Sequence, residues 1–395
     1  MADRSILISG AGIAGLTLAY WLKKFGFVPT VVELAPQLRQ GGNAIDFWGA
    51  GFKVAERMEI VPDLQKADQG ITEAAFVDAN DERKSGMNYG KLKKMMNGRA
   101  LTLLRSDLAK VIHDHLDKDV EIIFGDPISH IEQGGEQVMV TFQKGTVRPF
   151  DLVIGEDGLH SKVRELVFGD EAAFEKYYGY YTASYTIVEG LSQGTAFSMF
   201  NRPGKQAAVY SLDGGKAATF FIFTSPSKLA YGHHDVEKQK EILRNEFQDA
   251  GWKCADLISR MDQSPDFYFD VVSQIRMDHW TKGRVALVGD AAYCPSLLSG
   301  QGSAFAMVGA YIVAGELKEA NGDHARAFER YEQIFKPFID RKQKAAQFFA
   351  KSLVPQSNFG IWLRNRFTDL MFLPLVSKLF VKQFMDEDLN LKNYG

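Results

Sequence analysis

The sequence predicts an α/β fold in which a parallel sheet is interrupted by a mainly antiparallel sheet and followed by a helical C-terminal extension. Three observations predict it. An apolar strand at residues 5–9 leads directly into a glycine-rich turn. From about residue 178 to 272 the segments are aromatic, β-branched and punctuated by glycine turns, which is typical of antiparallel strands. "RVALVGDAA" at 284–292 then returns to a buried parallel type of strand, and long helices follow.

The first turn lies in "SILISGAGIAGLTLAYWLKKFGFVPTVVEL", residues 5–34. Gly10, Gly12 and Gly15 have the G-x-G-x-x-G spacing, which permits a tight turn, close approach of a pyrophosphate and close packing of the next helix. That helix is expected at about 14–25, with its N–H groups directed at the phosphates. A strand then ends at Glu33, whose carboxylate can accept hydrogen bonds from ribose hydroxyls. This order predicts a dinucleotide site, for either NAD or FAD.

Length and composition bound the function. The 395 residues exceed one typical core, so two joined domains are expected. A net charge of −3 without a long basic block argues against nucleic acid as a partner. Two cysteines argue against a disulfide framework, and the first strand begins too early to leave room for a signal peptide, so a cytoplasmic location is expected. No stretch approaches the ~18 apolar residues of a transmembrane span.

The remaining segments complete the order of elements. The glycine-rich "APQLRQGGNAIDFWGAG" after Glu33 predicts a loop that runs back over the nucleotide. Strands are expected at 74–77 and 99–103 on either side of a basic, flexible segment at 91–98, and helices near 51–58, from Arg105, and near 236–248. The predicted domains are a nucleotide-binding domain (1–72, 100–175 and 276–345), a substrate-binding domain (73–99 and 176–275) and a C-terminal helical extension (346–395).

Two later turns distinguish between the dinucleotides. In "DLVIGEDGLHSKVREL", Asp157-Gly158 follow a buried type of strand. In "GRVALVGDAAYCPSLLSGQGSAFAMVGA", Gly289-Asp290 end another such strand, and Gly300-Gln301-Gly302 precede a helix. Asp290 can accept hydrogen bonds from ribityl or ribose hydroxyls, and the glycine turn lets backbone approach a flat ring. An enzyme that binds only NAD has no need of this second glycine turn, so the pattern favours FAD.

With these motifs in order, residues 5–345 resemble the class A flavin monooxygenases, the flavin-dependent aromatic hydroxylases typified by p-hydroxybenzoate hydroxylase. The resemblance implies a Rossmann-like FAD-binding domain with the antiparallel sheet inserted as substrate domain. It assigns Glu33 to the adenosine ribose, Arg105 to FAD and Asp290 to the ribityl chain. Glu156 departs from the family's small residue, and Tyr293 departs from its histidine. The predicted cofactor-binding residues are Gly10, Gly12, Ile13, Ala14, Gly15, Glu33, Leu34, Arg39, Gly42, Asp46, Arg105, Asp157, Gly158, Arg164, Gly289, Asp290, Pro295, Gly300, Gln301 and Gly302.

The resemblance also implies the reaction. NAD(P)H, with NADPH as the expected donor, reduces FAD; O₂ then adds at flavin C4a, and the hydroperoxide transfers oxygen to an aromatic or polycyclic substrate. This chemistry belongs to the cofactor, so no side chain is predicted to be catalytic. Aromatic residues of the antiparallel sheet are candidates for substrate contact, although alternation places about half of them in the core. The predicted substrate-binding residues are Tyr185, Phe200, Arg202, Tyr210 and Phe221.

The substrate and the role of the tail stay open. "GGNAIDFWG" at 41–49, with Asp46, and the extended tail are similar to the tetracycline-inactivating monooxygenases; another phenolic or polyketide substrate is the alternative. Further alternatives are a flavin oxidoreductase that does not hydroxylate and a peripheral membrane flavoprotein. The last rests on the basic, amphipathic tail at 359–384, which is otherwise expected to pack across the two domains or to close over the substrate.

Other motifs are not expected to act. "GLSQG" around Ser192 has the spacing of a nucleophile elbow but lacks its strand-to-helix context. His113 and His115 point to different faces of a helix, and His233-His234 lack further ligands at zinc spacing, so no metal is predicted. A monomer is expected.

Overall fold

The computed structural model describes residues 4–39, 44–188, 196–212, 215–232, 235–371 and 389–395. Gly42, Ser192 and His233-His234 lie outside the described residues. The strands, in chain order, are β1 (Ser5–Ser9), β2 (Val28–Glu33), β3 (Ala44–Trp48), β4 (Glu73–Val77), β5 (Arg83–Asn88), β6 (Ala100–Leu104), β7 (Glu121–Phe124), β8 (Ile128–Gln133), β9 (Val138–Phe142), β10 (Val147–Phe150), β11 (Leu152–Gly155), β12 (Glu175–Ile187), β13 (Ala196–Arg202), β14 (Lys205–Ser211), β15 (Ala217–Thr224), β16 (Tyr268–Ile275), β17 (Thr281–Lys282) and β18 (Val285–Leu287). The helices are α1 (Ile13–Lys24), α2 (Ala50–Arg57), α3 (Val61–Lys66), α4 (Tyr89–Met95), α5 (Arg105–Asp114), α6 (Lys162–Phe168), α7 (Val236–Phe247), α8 (Cys254–Arg260), α9 (Asp290–Tyr293), α10 (Gly302–Glu319), α11 (His324–Leu353) and α12 (Asn358–Met371).

A six-stranded sheet forms the nucleotide-binding half. Its strand order is β17-β18-β11-β1-β2-β7, and all neighbours are parallel except β17 and β18. Its central strands are wholly buried apolar runs, such as Ile6 to Ile8 in β1, and α1 packs on β1 and β2 while α10 packs on α1. Because parallel strands point the same way, the turns that follow β1, β11 and β18 leave the sheet at one edge.

A seven-stranded sheet forms the other half, in the order β16-β12-β15-β14-β13-β4-β5. Its neighbours are antiparallel except β13 and β4. Its outer face, which includes Tyr185 and Phe221, packs with residues of α7 and α8. Its inner face carries Tyr210, whose hydroxyl accepts a 2.6 Å hydrogen bond from the backbone of Ala44 in the nucleotide-binding half. The inner face is therefore the one that is turned toward the six-stranded half.

Two local expectations are wrong. The glycine-rich segment after Glu33 is not a loop throughout, because the alternating residues of β3 pair antiparallel with β6 and bury Phe47. The basic segment at 91–98 is not a flexible linker, because α4 covers most of it and the Lys93 ammonium donates to the Asp68 carboxylate at 2.6 Å. Pairing and packing with distant segments fix both stretches.

The C-terminal extension contacts both halves. After α11 the chain turns at Pro355, whose carbonyl accepts a 2.9 Å hydrogen bond from the Gly204 backbone, and α12 then packs on β5 and β13. Residues 389–395 return to the nucleotide-binding half, where the Tyr394 hydroxyl donates to the buried Glu316 carboxylate at 2.7 Å. A Cβ at Gly315 would lie 2.2 Å from the Tyr394 ring, so this anchor requires glycine. Among the described residues, no helix is long and apolar enough to cross a membrane.

Candidate active site

Three turns of the nucleotide-binding half meet at the carboxyl edge of the six-stranded sheet. The turn after β1 touches the turn after β11, because a Cβ at Gly10 would lie 2.5 Å from the Glu156 carbonyl oxygen. The turn after β18 touches the first turn of α1, because a Cβ at Gly289 would lie 3.3 Å from the Ala14 Cβ. The three motifs found in the sequence therefore lie side by side.

Two helix N-termini at this edge lack side-chain caps. α1 begins after Gly12 and α10 after Gln301; neither N-cap side chain bonds the helix, and neither first turn carries an acidic residue. A Cβ at Gly12 or Gly300 would meet no other atom of the described residues within 4 Å. A Cβ at Gly302 would lie 3.7 Å from the nearer Asp290 carboxylate oxygen, which puts the start of α10 beside the third turn. Such N-termini favour an anion or a negatively polarised group.

The Asp157-Gly158 turn differs, because side chains of the turn cap the helix α6 that follows it. The Asp157 carboxylate accepts hydrogen bonds from the backbone of Lys162 at 2.8 Å and of Val163 at 3.1 Å. Asp157 is therefore used to position the turn. Within the part of the chain that the structure describes, a Cβ at Gly158, whose φ is +85°, would meet nothing within 4 Å, so this side of the backbone is open to a ligand.

Arg164 is fully buried and ties the second turn to the third. Its guanidinium donates to the carbonyl oxygens of Ala291 at 2.9 Å and Leu159 at 2.6 Å, and to the Glu171 carboxylate at 2.6 Å. Burial lowers the pKa of Arg164, and the Glu171 charge opposes this shift. Ala291 directly follows Asp290 in the chain, so the buried Arg164 guanidinium holds the backbone of the third turn in place.

The carboxylate of Glu33, at the end of β2, is held in one orientation by two backbone N–H groups. Its carboxylate accepts hydrogen bonds from Ala11 at 2.8 Å and from Ala35 at 2.9 Å, and so lies beside the first glycine turn. That position suits the hydroxyls of an adenosine ribose. The other predicted contacts Leu34, Arg39 and Arg105 are exposed.

Two buried glutamine side chains fix the backbone beyond the third turn. Gln343 of α11 donates to the carbonyls of Tyr293 at 3.1 Å and Cys294 at 3.2 Å, and Gln274 of β16 donates to the carbonyl of Pro295 at 2.9 Å. Burial, more than the nearby Asp290 charge, raises the pKa of the Cys294 thiol well above its usual range. The thiol therefore stays protonated and unreactive.

Three aromatic residues of the substrate-binding prediction lie away from the inner face, in the core that the sheet forms with α7 and α8, which argues against a substrate contact. Tyr185 and Phe221 lie on the outer face, and the Tyr185 hydroxyl donates to the carbonyl of Leu257 at 2.9 Å. Phe200 lies in the same core and stacks on Trp252 with ring centroids 5.7 Å apart. Sequence alternation defines two faces of a strand, but α7 and α8 decide which face is covered.

The other two predicted substrate residues differ from each other. Arg202 is exposed, and its guanidinium donates to the carbonyls of Asp249 and Ala250 at 3.3 and 3.2 Å, just beyond α7. These bonds occupy it away from the inner face, which argues against the predicted substrate contact. Tyr210 lies on the inner face, where a substrate role stays a prediction.

Comparison with known proteins decides the family. Residues 3–344 match the family described as FAD binding domain. The chain is 36% identical over 365 residues to a flavin-dependent monooxygenase of Legionella longbeachae. The aligned region covers 92% of this chain and 89% of that protein. The chain belongs to this family of flavin-dependent monooxygenases. The predicted family and FAD as the cofactor are confirmed.

Solved structures share the fold of this monooxygenase. Tetracycline destructase Tet(51) is 35% identical with a TM-score of 0.85, covering 99% of this chain and 100% of that one. Tetracycline destructase Tet(55) is 33% identical with a TM-score of 0.84, covering 99% of each chain. HpxO of Klebsiella pneumoniae, complexed with FAD and uric acid, is 23% identical with a TM-score of 0.77, covers 93% of each chain and shows the fold alone. The predicted fold class is confirmed, whereas the predicted domain boundaries stay a prediction.

The described residues of the monooxygenase fit FAD at the three turns. The uncapped start of α1 suits the pyrophosphate, Glu33 suits the ribose, and Asp290 beside the start of α10 suits the ribityl chain and the flat ring. The first turn of α1 is buried and contributes backbone only: Ile13, Ala14 and Gly15. The assignment of single residues to FAD stays a prediction.

Asp46, another predicted FAD contact, forms hydrogen bonds that link β3 to neighbouring elements. Its carboxylate accepts hydrogen bonds from the Tyr89 hydroxyl at 2.9 Å and from the Thr102 hydroxyl at 3.3 Å. Burial raises the pKa of Asp46, and the two hydrogen bonds oppose the shift. Asp46 thus joins β3 to β6 and α4 close to Tyr210, and its contact with FAD stays a prediction.

Sequence reasoning missed a polar cluster between the second turn and the inner face. His160, two residues after Gly158, places its Nε2 3.2 Å from a carboxylate oxygen of Asp270 on β16. The Tyr268 hydroxyl donates to the other oxygen at 3.0 Å. The available signal was Asp270 itself, a carboxylate among the aromatic and valine residues of "FYFDVV" at 267–272.

Proposed function

We propose that this monooxygenase uses NADPH and O₂ to hydroxylate an aromatic or polycyclic substrate that binds between the three turns and the inner face. The observation that carries the proposal is the meeting of the three turns on the side toward which Tyr210 and Asp270 face. Bound FAD would accept a hydride from the nicotinamide and activate O₂.

The chain's own part is to bind and orient. The N-termini of α1 and α10 favour the pyrophosphate and the negative charge that develops on the ring. Glu33 and Asp290 bind sugar and ribityl hydroxyls. Gln274 and Gln343 hold the backbone of the third turn, and the packed sheets exclude water from the reacting atoms.

A tetracycline is the first substrate to test, because two structures that are 35% and 33% identical to this chain are named tetracycline destructases. Other phenolic or polyketide compounds are the alternative. The experiment measures NADPH and NADH oxidation by the purified holoenzyme with tetracyclines, anthraquinones and simple phenolic acids, and follows products by mass spectrometry. We expect one class to stimulate oxidation and to gain one oxygen atom. Stimulation by none of them, or hydrogen peroxide without oxygenated product, contradicts the proposal.

A peripheral membrane role rests on a separate observation. The outer side of α12 exposes more than half of each of Phe359, Trp362, Leu363 and Phe367. Flotation with anionic phospholipid vesicles tests this role. Binding that Trp362→Ser and Phe367→Ser abolish, without loss of NADPH oxidation, would support it as an addition to the enzyme activity.

A further inference from the structure

We propose that Tyr268 and Asp270 accept the proton of a substrate hydroxyl group during oxygen transfer, with His160 holding Asp270 in place. The inference rests on the proposed function and adds catalytic residues that act on a hydroxylated ring. It stands on a continuous chain of contacts that runs from the inner face to the second turn.

The contacts start at the beginning of β16. Tyr268 and Asp270 are two residues apart, so both side chains face the same side of the strand. The Tyr268 hydroxyl donates to Asp270 Oδ2 at 3.0 Å and keeps a lone pair with which it can accept a hydrogen bond. Directly opposite Asp270 on β12, the buried Thr182 hydroxyl has no hydrogen-bond partner among the described residues. The inner face therefore offers polar groups at this point.

The position of Asp270 is fixed from the cofactor side. His160 Nε2 lies 3.2 Å from Asp270 Oδ1, and His160 Nδ1 lies 2.9 Å from the Glu171 carboxylate, which also binds the buried Arg164. Burial favours neutral His160, but the hydrogen bonds to Asp270 and Glu171 outweigh it and raise the pKa of His160 to about 10. An imidazolium cation at His160 therefore faces Asp270 and holds this carboxylate in place.

The strand that carries Tyr268 also contacts the third turn at its other end. The Ile275 backbone N–H of β16 donates to the Cys294 carbonyl at 3.3 Å. Burial, with the Asp270 charge, raises the pKa of Tyr268 well above its usual range, so the hydroxyl stays a neutral donor. A substrate hydroxyl that reaches the flat ring from the inner face would meet this group.

When a ring carbon beside the substrate hydroxyl takes an oxygen atom from the peroxide that bound FAD would supply, its π electrons form the new C–O bond. The O–O bond breaks, and its electron pair leaves on the other oxygen atom, which takes up protons and departs as water. The hydroxyl C–O bond of the substrate becomes a carbonyl in the same step, so its proton becomes strongly acidic. That proton moves to Tyr268 Oη, and the proton of Tyr268 moves to Asp270 Oδ2. Tyr268 ends neutral, Asp270 ends as the acid, and water later takes its proton. A carboxylate suffices as the base because the transfer is downhill once the C–O bond forms. The attacked ring carbon then loses its hydrogen as a proton to water and the carbonyl oxygen regains one, which restores the aromatic ring.

The test compares Tyr268→Phe, Asp270→Asn and wild-type holoenzyme on a hydroxylated substrate. Both variants should keep FAD and the KM within a few-fold, while formation of oxygenated product falls about 100-fold. Tyr177→Phe is the matched control, because it removes a phenol hydroxyl that donates to Ser225 at the far side of the same strand pair.

A binding measurement adds a readout that does not depend on turnover. Wild type should bind a hydroxylated ring about tenfold more tightly than its methyl ether, and Tyr268→Phe should lose this preference. If wild type oxygenates the substrate, and Tyr268→Phe does so as fast and still prefers the hydroxylated ring, this inference alone is overturned. Wild type that makes no oxygenated product overturns the proposed function and this inference with it.

Discussion

At the scale of single residues, a buried carboxyl group contributes to the expected pH dependence of stability. Glu156 is 6% exposed, and neither of its oxygens has a hydrogen-bond partner among the described residues. Burial, and then the Asp157 charge, raise the pKa of Glu156 well above its usual value. Glu156 is neutral in the fold and ionised in the unfolded chain above about pH 4.3, so the free energy of unfolding falls as pH rises, by up to ~1.4 kcal/mol per unit.

Glu156→Gln should remove part of this slope, because the amide stays neutral at every pH. We expect its melting temperature to fall less steeply than that of wild type between about pH 5 and pH 8 and to exceed it at the upper end. Glu165→Gln, which changes an exposed carboxylate on α6, should follow wild type. Equal slopes for Glu156→Gln and wild type in a pH series of thermal melts would contradict the assignment.

Two carboxylates should carry much of the affinity for FAD. Glu33→Ala and Asp290→Ala are each expected to weaken binding by ~1.5–3 kcal/mol, or about 10- to 100-fold in Kd, because each loses a charge-assisted hydrogen bond to a hydroxyl. Quenching of flavin fluorescence measures the Kd, and Glu132→Ala, an exposed change on β8, is the control. Unchanged affinity in both variants would place the cofactor elsewhere.

At the scale of elements, a partly buried cation joins α12 to the antiparallel sheet. The Arg364 guanidinium lies 3.5 Å from the centre of the Phe76 ring and donates to the Asn201 side chain at 3.1 Å, and burial lowers the pKa of Arg364 to about 10. Arg364→Ala should detach α12 and cost about 2 kcal/mol of stability. FAD content should not change. If α12 covers the substrate, KM should rise about tenfold and hydrogen peroxide should form.

The control is Arg366→Ala, an exposed change on the same helix. Arg364→Ala with wild-type KM and tight coupling would show that α12 does not cover the substrate. Truncation after Val354 is a poorer test, because Leu389, Leu391 and Tyr394 pack in the core of the nucleotide-binding half and their loss should reduce stability and FAD binding together.

Some helices and strands could be predicted from the sequence, and others could not. β1, α1 and β2 could be predicted because their apolar runs and glycine spacing are local signals. The phase of Tyr185 and Phe221 could not, because a strand buried on both faces gives no contrast between them. β3 was missed for a different reason, because its partner β6 lies far along the chain.

At the scale of the whole molecule, the three turns meet because parallel strands bring their carboxyl ends to one edge, so the FAD site followed from three local motifs. The contact between His160 and Asp270 did not follow, because it depends on how the seven-stranded sheet docks on the six-stranded one. The meeting of the three turns is thus predictable from local motifs, whereas contacts between the two halves require the assembled structure.

The central claim is that this chain transfers one atom of O₂ to an organic substrate. The most direct measurement is turnover of the stimulating substrate with NADPH under ¹⁸O₂, followed by mass spectrometry of the product. The product should carry one labelled oxygen atom under ¹⁸O₂, and it should carry none when the reaction is run in labelled water with unlabelled O₂. A product without label under ¹⁸O₂, or label found only in hydrogen peroxide, would contradict the claim.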